Sequence, residues 1–196
     1  MQTIALVGNG TWFDCGMVLK SYDVIIALDG GHQFCQKFGI TPTITLGDGD
    51  SITDKPTNFI VSTDQTTTDL QKGLAYIQEH FTDYVIDLFG FVSIDRLDHT
   101  LTAIHLLYNH RVIRSLYTPY QHLRPIIDQI ELKNVTSFSL LPIEDSATVE
   151  IQGAKWNGQF VLDESYSGLS NSAVADTVHI SVIDRPVLLI TPTQWT

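Results

Sequence analysis

Through residue 117 the chain alternates short apolar runs with longer segments of helical periodicity. The runs are residues 3–7, 24–28, 43–46, 58–61, 84–89 and 115–117. The helical segments are 15–21, 32–38, 69–81 and 98–109. Apolar runs without polar alternation predict strands buried on both faces, and helices between strands predict a parallel sheet. Beyond Pro125 the pattern changes. Runs at 135–141, 147–152, 159–162, 178–183 and 187–190 are separated by turn residues, with a helical pattern only near 126–132. They predict a small antiparallel sandwich or barrel. The expected organisation is an α/β domain over 1–125 and a β domain over 126–196.

In an open parallel sheet, ligands bind outside the carboxyl ends of the strands. Here those ends carry Gly8-Asn9-Gly10, Asp29-Gly30-Gly31, Asp48-Gly49-Asp50, Asp64-Gln65 and Gly90. All five are expected to face one crevice. The densest is Gly47-Asp48-Gly49-Asp50-Ser51. Residues two apart in an extended segment point the same way, so Asp48 and Asp50 place two carboxylates on one side. Such a pair is stable around a hard cation, and Mg²⁺ is commonly held by one or two carboxylates plus substrate phosphates. A turn cap is the structural alternative for these residues.

Thr68-x-x-Gln71 is a capping-box pattern at the start of the third helix, with Asp69 in its first turn. Asp69 is a candidate third carboxylate. Arg96-Leu97-Asp98-His99-Thr100 precedes the fourth helix. A guanidinium there matches phosphate oxygens bidentately. The structural alternative is that Asp98 caps this helix and Arg96 simply pairs with it, and His99 is a candidate base. The glycines beside Asp29 let backbone amides approach phosphate or ribose. Neither glycine stretch is a GxGxxG or a Walker loop. In the second part, Trp156 lies between Lys155 and Asn157-Gly158, as at a strand end. Its ring is suited to stack on a flat, cationic heteroaromatic group. Ser170 and Asn171 are candidate polar ligands to that ring, or ordinary turn residues.

Charge narrows the field. The 196 residues carry 11 Lys+Arg against 22 Asp+Glu, for a formal net charge of −11. That leaves little for a basic nucleic-acid face. Cys15 and Cys35 form no metal-ligand pattern and read as reduced thiols. There is no basic segment before the first strand and no apolar run of bilayer length, so a cytoplasmic protein without membrane contact is expected.

Taken in order, Asp29-Gly30-Gly31, Gly47-Asp48-Gly49-Asp50-Ser51, Ser62-Thr63-Asp64-Gln65 through Thr68-Asp69-Leu70, Arg96-Leu97-Asp98-His99-Thr100-Leu101, Ser139-Leu140-Leu141-Pro142, Gly153-Ala154-Lys155-Trp156 and Ser170-Asn171 resemble the thiamin pyrophosphokinase family across nearly the whole chain. The resemblance implies transfer of the pyrophosphoryl group of ATP to the hydroxyl of thiamine, giving thiamine diphosphate and AMP. It implies Mg²⁺ on Asp48, Asp50 and Asp69. Asp29, Gly30, Gln65, Arg96 and His99 would contact ATP, and Asp98 would orient the thiamine hydroxyl. Asp48, Asp50, Asp69, Arg96 and Asp98 would thus carry the catalysis. Trp156, Ser170 and Asn171 would bind thiamine, contributed across a homodimer with shared sites. One stretch departs from the family: the loop from Gly90 to Arg96 is one residue longer, with Asp95 where a glycine usually precedes the arginine. Three other readings remain open on the residues. They are a pyrophosphokinase acting on another alcohol such as a hydroxymethylpterin, a nucleotide-sugar glycosyltransferase, and a non-catalytic thiamine-binding homologue.

Overall fold

The structure is a computed structural model. It describes the whole chain except Asp50, Ser51, Thr53, Asp54, Gln65, Ser167, Gln194, Trp195 and Thr196. The chain divides into two compact units, Met1–Pro119 and Tyr120–Gln194.

The first unit is α/β. Its strands are β1 (Gln2–Val7), β2 (Val24–Leu28), β3 (Ile44–Gly47), β4 (Phe59–Val61), β5 (Tyr84–Phe89) and β6 (Ile113–Tyr117). All pair in parallel in the order β6-β5-β1-β2-β3-β4. Among the described residues the helices that connect them are α1 (Gly16–Leu19), α2 (Gly31–Lys37), α3 (Asp69–His80) and α4 (Leu97–Asn109). The unbroken apolar runs are explained by burial on both faces. Every residue of β2 is buried. Ala5, Val7, Ile25 and Ala27 face a cluster with Leu19, Phe34 and Phe89. On the opposite face Gly73 of α3 lies against Leu6 and Leu28, where an added Cβ would come within 3.0 Å of Leu28. Asp87 of β5 is fully buried, and its carboxylate accepts from Tyr22 and from Arg114, which grips both oxygens. Cys15 and Cys35 are buried free thiols, and desolvation pushes both up to about 12.

The second unit is an antiparallel sandwich. Its strands are β7 (Gln121–Ile126), β8 (Gln129–Lys133), β9 (Ser137–Pro142), β10 (Ala147–Gln152), β11 (Gly158–Leu162), β12 (Gly168–Ser172), β13 (Thr177–Val182) and β14 (Val187–Pro192). One sheet runs β12-β9-β14-β7 and the other β11-β10-β13-β8. Phe138, Leu140 and Leu189 from the first meet Val149, Leu162, Val178 and Ile180 from the second. The helical pattern near 126–132 is not a helix. Ile126 ends β7, and β8 alternates an exposed Glu131 with a buried Leu132, so a strand period holds. The change of character expected at Pro125 comes at Pro119–Tyr120, because 121–126 is already antiparallel to β14. Among the described residues no helix is long and apolar enough to cross a membrane.

Candidate active site

In the first unit a cleft of about 290 Å³ opens at the carboxyl ends of β1, β2 and β5. Gly8, Asn9, Gly10, Asp29, Gly30, Gly90, Phe91, Ser93, Thr68, Asp69, Arg96 and His99 line it. Its walls are close because the loops lack Cβ atoms where they meet. A Cβ on Gly31 would lie 2.1 Å from the Val7 carbonyl oxygen, and one on Gly10 would lie 2.7 Å from those of Gly90 and Val92. Backbone bonds from Gly8 to Phe89 (2.8 Å) and from Thr11 to Val92 (2.7 Å) tie the β1 and β5 loops together. Asp29 has φ +45°, a left-handed conformation uncommon outside glycine. It is held there by its N–H donating to Leu46 O at 2.8 Å, with the bare Cα of Gly47 against its carboxylate.

The capping box at α3 is formed. Thr68 Oγ1 accepts from the Gln71 N–H at 3.3 Å, and Gln71 Oε1 accepts from the Thr68 N–H at 3.0 Å. This places Asp69 in the first turn, aimed at the cleft, where the helix dipole favours a negative charge. Its Oδ1 accepts from Lys72 Nζ at 3.1 Å. The Lys72 side chain is only 7% exposed. Sequence reasoning passed over Lys72; its one visible signal is the i,i+3 spacing from Asp69.

Arg96 and Asp98 form a bidentate pair, Nε to Oδ1 at 3.1 Å and Nη2 to Oδ2 at 3.0 Å. His99 Nε2 contacts the same Nη2. The hydrogen bonds from Arg96 hold the Asp98 carboxyl down to about 2, and the carboxylate raises the guanidinium. Asp98 does not cap α4, the alternative the sequence left open: Arg96 is the N-cap, Leu97 opens the helix, and Asp98 lies in its first turn with its carboxylate paired to the guanidinium. Thr100 fixes the longer loop, its Oγ1 accepting from Ser93 N (2.9 Å) and donating to Ser93 O (3.0 Å). Ile94 projects into solvent, 93% exposed.

Not every strand end reaches this cleft. Asp48 follows β3 and is half-buried but does not line it. Asp64 lines a different groove beside α3, contrary to the single crevice expected. Hydrogen bonds from Thr66 and Thr67 hold its carboxyl down to about 2. Asp50 and Gln65 lie outside the described residues. Among those described, no three acidic, histidine or cysteine side chains are grouped to hold a metal. Asp48 and Asp69 are hard carboxylate donors, the oxygen type that suits Mg²⁺.

In the second unit a cleft of about 250 Å³ is lined by Ile151, Trp156, Phe160, Leu162, Tyr166, Gly168, Leu169 and Asn171. Phe160 and Tyr166 stack at 5.5 Å. Asn171 is buried, and its amide fixes Trp156: Oδ1 accepts from Trp156 N at 3.1 Å and Nδ2 donates to Trp156 O at 2.9 Å. Trp156 as a whole remains 43% exposed. Ser170 is outside this cleft. It has φ +56°, its N–H donates to Ser139 Oγ at 3.0 Å, and it lines a neighbouring hollow with Tyr120 and Thr191.

No curated protein sequence matches the chain significantly. Solved structures share its fold. The thiamine pyrophosphokinase of Bacillus subtilis is 22% identical, with 98% of this chain and 100% of that one covered and a TM-score of 0.85. The thiamin pyrophosphokinase of Candida albicans is 16% identical, with 98% and 89% covered and a TM-score of 0.82. That of yeast is 19% identical, with 98% and 87% covered and a TM-score of 0.76. The family model for the thiamin pyrophosphokinase catalytic domain matches residues 15–116, more than half of the chain. The chain therefore belongs to the thiamin pyrophosphokinase family of kinase-type enzymes.

Proposed function

We propose that this protein is a Mg²⁺-dependent thiamine diphosphokinase that transfers pyrophosphate from ATP to thiamine. The observation that carries the reading is the cleft at the strand ends, where Asp69 at a capped helix start faces the same space as the Arg96 guanidinium. The reaction is an in-line displacement. The thiamine hydroxyl oxygen bonds to the β-phosphorus, the bridging bond from that phosphorus to the α-phosphate oxygen breaks, and AMP leaves with the electron pair. The hydroxyl proton passes to solvent or to a nearby base. Positioning and charge stabilisation dominate such chemistry.

Asp48 and Asp69 would hold the metal, with Asp50, and bound Mg²⁺ would offset charge on the phosphates. Asp29 and Gly30 present backbone at the cleft wall for the nucleotide, and Gln65 and His99 are its further contacts. Arg96 stabilises charge that grows on the transferring group. Asp98, ionised down to about pH 2, is too weak a base to abstract a hydroxyl proton near neutrality. Its role is to hold Arg96 and accept the substrate hydroxyl as an oriented donor. Trp156 stacks on the thiamine ring, with Asn171 fixing it and Ser170 nearby in the chain. A cytoplasmic homodimer, with the β unit of one subunit serving its partner, completes the reading.

The test is AMP release by purified protein with ATP, Mg²⁺ and thiamine, with thiamine diphosphate detected by fluorescence after oxidation. Thiamine-dependent AMP matched by thiamine diphosphate is expected. AMP formed with a hydroxymethylpterin but not with thiamine overturns the substrate. No AMP with either alcohol overturns the catalysis.

A further inference from the structure

The loop from Gly90 to Arg96 is held at both ends while its middle stands in solvent. Its first half is tied to the β1 loop, Thr11 N donating to Val92 O at 2.7 Å. Its second half ends on one buried hydroxyl, that of Thr100 in the first turn of α4. Thr100 Oγ1 accepts from Ser93 N at 2.9 Å and donates to Ser93 O at 3.0 Å, with Arg96 O also in reach at 3.3 Å. The Thr100 N–H donates to Arg96 O at 3.1 Å. Between these anchors Ile94 and Asp95 are exposed, and neither lines the cleft. Ser93 and Arg96, on either side of that excursion, both line it.

From this we infer that Thr100 is a positioning residue for Arg96: its hydroxyl closes the neck of the longer loop, so that the guanidinium still reaches the cleft. The inference rests on the reading of Arg96 as a phosphate contact and deepens it. A threonine in a helix commonly bonds the carbonyl four residues back, and that local habit accounts for the contact to Arg96 O. It does not account for the grip on both polar groups of the Ser93 backbone, seven residues away. One hydroxyl that both accepts from and donates to the same residue fixes that residue in two directions. Arg96 needs such support, because as N-cap it has φ −129° and ψ 68° and no side-chain capping bond of its own. The first turn of α4 thus holds Arg96 twice, Asp98 at the guanidinium and Thr100 at the main chain. Release of the second hold lets the loop ends part and the guanidinium drift, and a displacement of about 1 Å can cost roughly 10²-fold in rate.

The test is a double-mutant cycle on the full chain. Thr100→Val, Thr100→Ser, Arg96→Ala and the double variant Arg96→Ala with Thr100→Val are compared below their melting temperatures. The readouts are calorimetric titration with ATP and Mg²⁺, and thiamine-dependent AMP release. Thr100→Val is expected to weaken ATP about fivefold, the scale of one exposed ion pair, and to leave the KM for thiamine unchanged. Its kcat should fall about tenfold, short of a full 1 Å displacement. Thr100→Ser keeps the hydroxyl and should keep both values. In the Arg96→Ala background Thr100→Val should lower neither further. Equal losses with and without Arg96 overturn the inference, as does a Thr100→Ser as impaired as Thr100→Val, or a Thr100→Val that behaves as wild type. Thr100→Ala removes the same hydroxyl and takes the place of Thr100→Val in the cycle if the valine variant does not fold. If ATP binds with this coupling but no thiamine-dependent AMP forms, the inference stands and the thiamine reading falls. If ATP does not bind the wild type, both fall.

Discussion

The ammonium of Lys72 sits 3.1 Å from Asp69 Oδ1, and the two partners differ sharply in burial. The Lys72 side chain is 7% exposed, whereas that of Asp69 is 46% exposed. Removing one partner costs most when the other is left in a dry place. Asp69→Asn strands a buried ammonium and should cost about 1–3 kcal/mol. Lys72→Met keeps the packing of the stem and leaves a carboxylate that water can reach, so it should cost under about 1 kcal/mol. Urea midpoints in EDTA decide it. The opposite order would mean that the ammonium finds water when Asp69 is neutralised.

Arg96 and Asp98 present the contrary case, because both are well exposed. Arg96→Ala should melt with the wild type. If the guanidinium meets transferring phosphate, kcat should fall about 10²–10³-fold, and Arg96→Lys should recover little of it, because an ammonium lacks the fork. Loss of melting temperature in step with activity would make Arg96 a structural residue instead.

The same pair sets a pH expectation. The folded carboxyl of Asp98 is held below its ordinary value, so it is charged throughout the range above about pH 2. Whatever acid limb the kcat profile shows between pH 5 and 8 must come from another group. Asp98→Asn should lower the plateau without moving that limb. A limb that vanishes in Asp98→Asn would return Asp98 to the role of base.

How much of this was legible follows from where burial and patterning coincide. The run at β2 is apolar without interruption because both faces are covered, and β5 is broken only by Asp87, whose buried carboxylate is satisfied by Tyr22 and Arg114, so the bounds of both could be read directly. The capping box at Thr68 was legible because its chemistry is local. Strand β12 was not, because Ser170 and Asn171 carry no strand signal. They pair with β9 because that sheet edge takes them, and Asn171 is buried because Trp156 satisfies its amide. The Asp98 pairing was read only as an alternative, since capping and ion pairing use the same oxygens. Lys72 was missed because nothing in a sequence marks a lysine whose stem is buried. The grouping of strand ends was read too broadly. Loop direction after each strand sends Asp64 to the α3 groove and Asp69 to the cleft, and periodicity carries no information about loop direction.

His32 gives a stability prediction with a definite sign. It is buried on α2 with Nδ1 3.2 Å from Thr45 Oγ1, and desolvation lowers its folded pKa. The unfolded value is about 6.5, so below that pH the unfolded chain binds the proton more readily. The stability from neutral His32 is fully present above about pH 6.5 and is lost as pH falls through and below that value. Wild type should therefore lose more stability from pH 7 to 5 than His32→Gln. Parallel pH dependence of the two would assign acid sensitivity elsewhere.

Gly31 and Gly39 separate two reasons for a glycine. Gly31 opens α2, where alanine is the better helix former by at most about 1 kcal/mol. Yet a Cβ there would stand 2.1 Å from the carbonyl oxygen of Val7, which is backbone of a central strand and cannot swing away. Overpacking of that kind costs about 1–3 kcal/mol or more, so the clash outweighs the propensity. Gly39 faces open space, but its φ is +68°, so alanine meets only the left-handed penalty of about 1–2 kcal/mol. Gly31→Ala should also shift the Gly30 loop at the cleft wall and raise the KM for ATP. Gly39→Ala should cost stability alone. Equal midpoints with unchanged ATP kinetics in both variants would show that the β1–α2 approach is looser than the contact at Val7 requires.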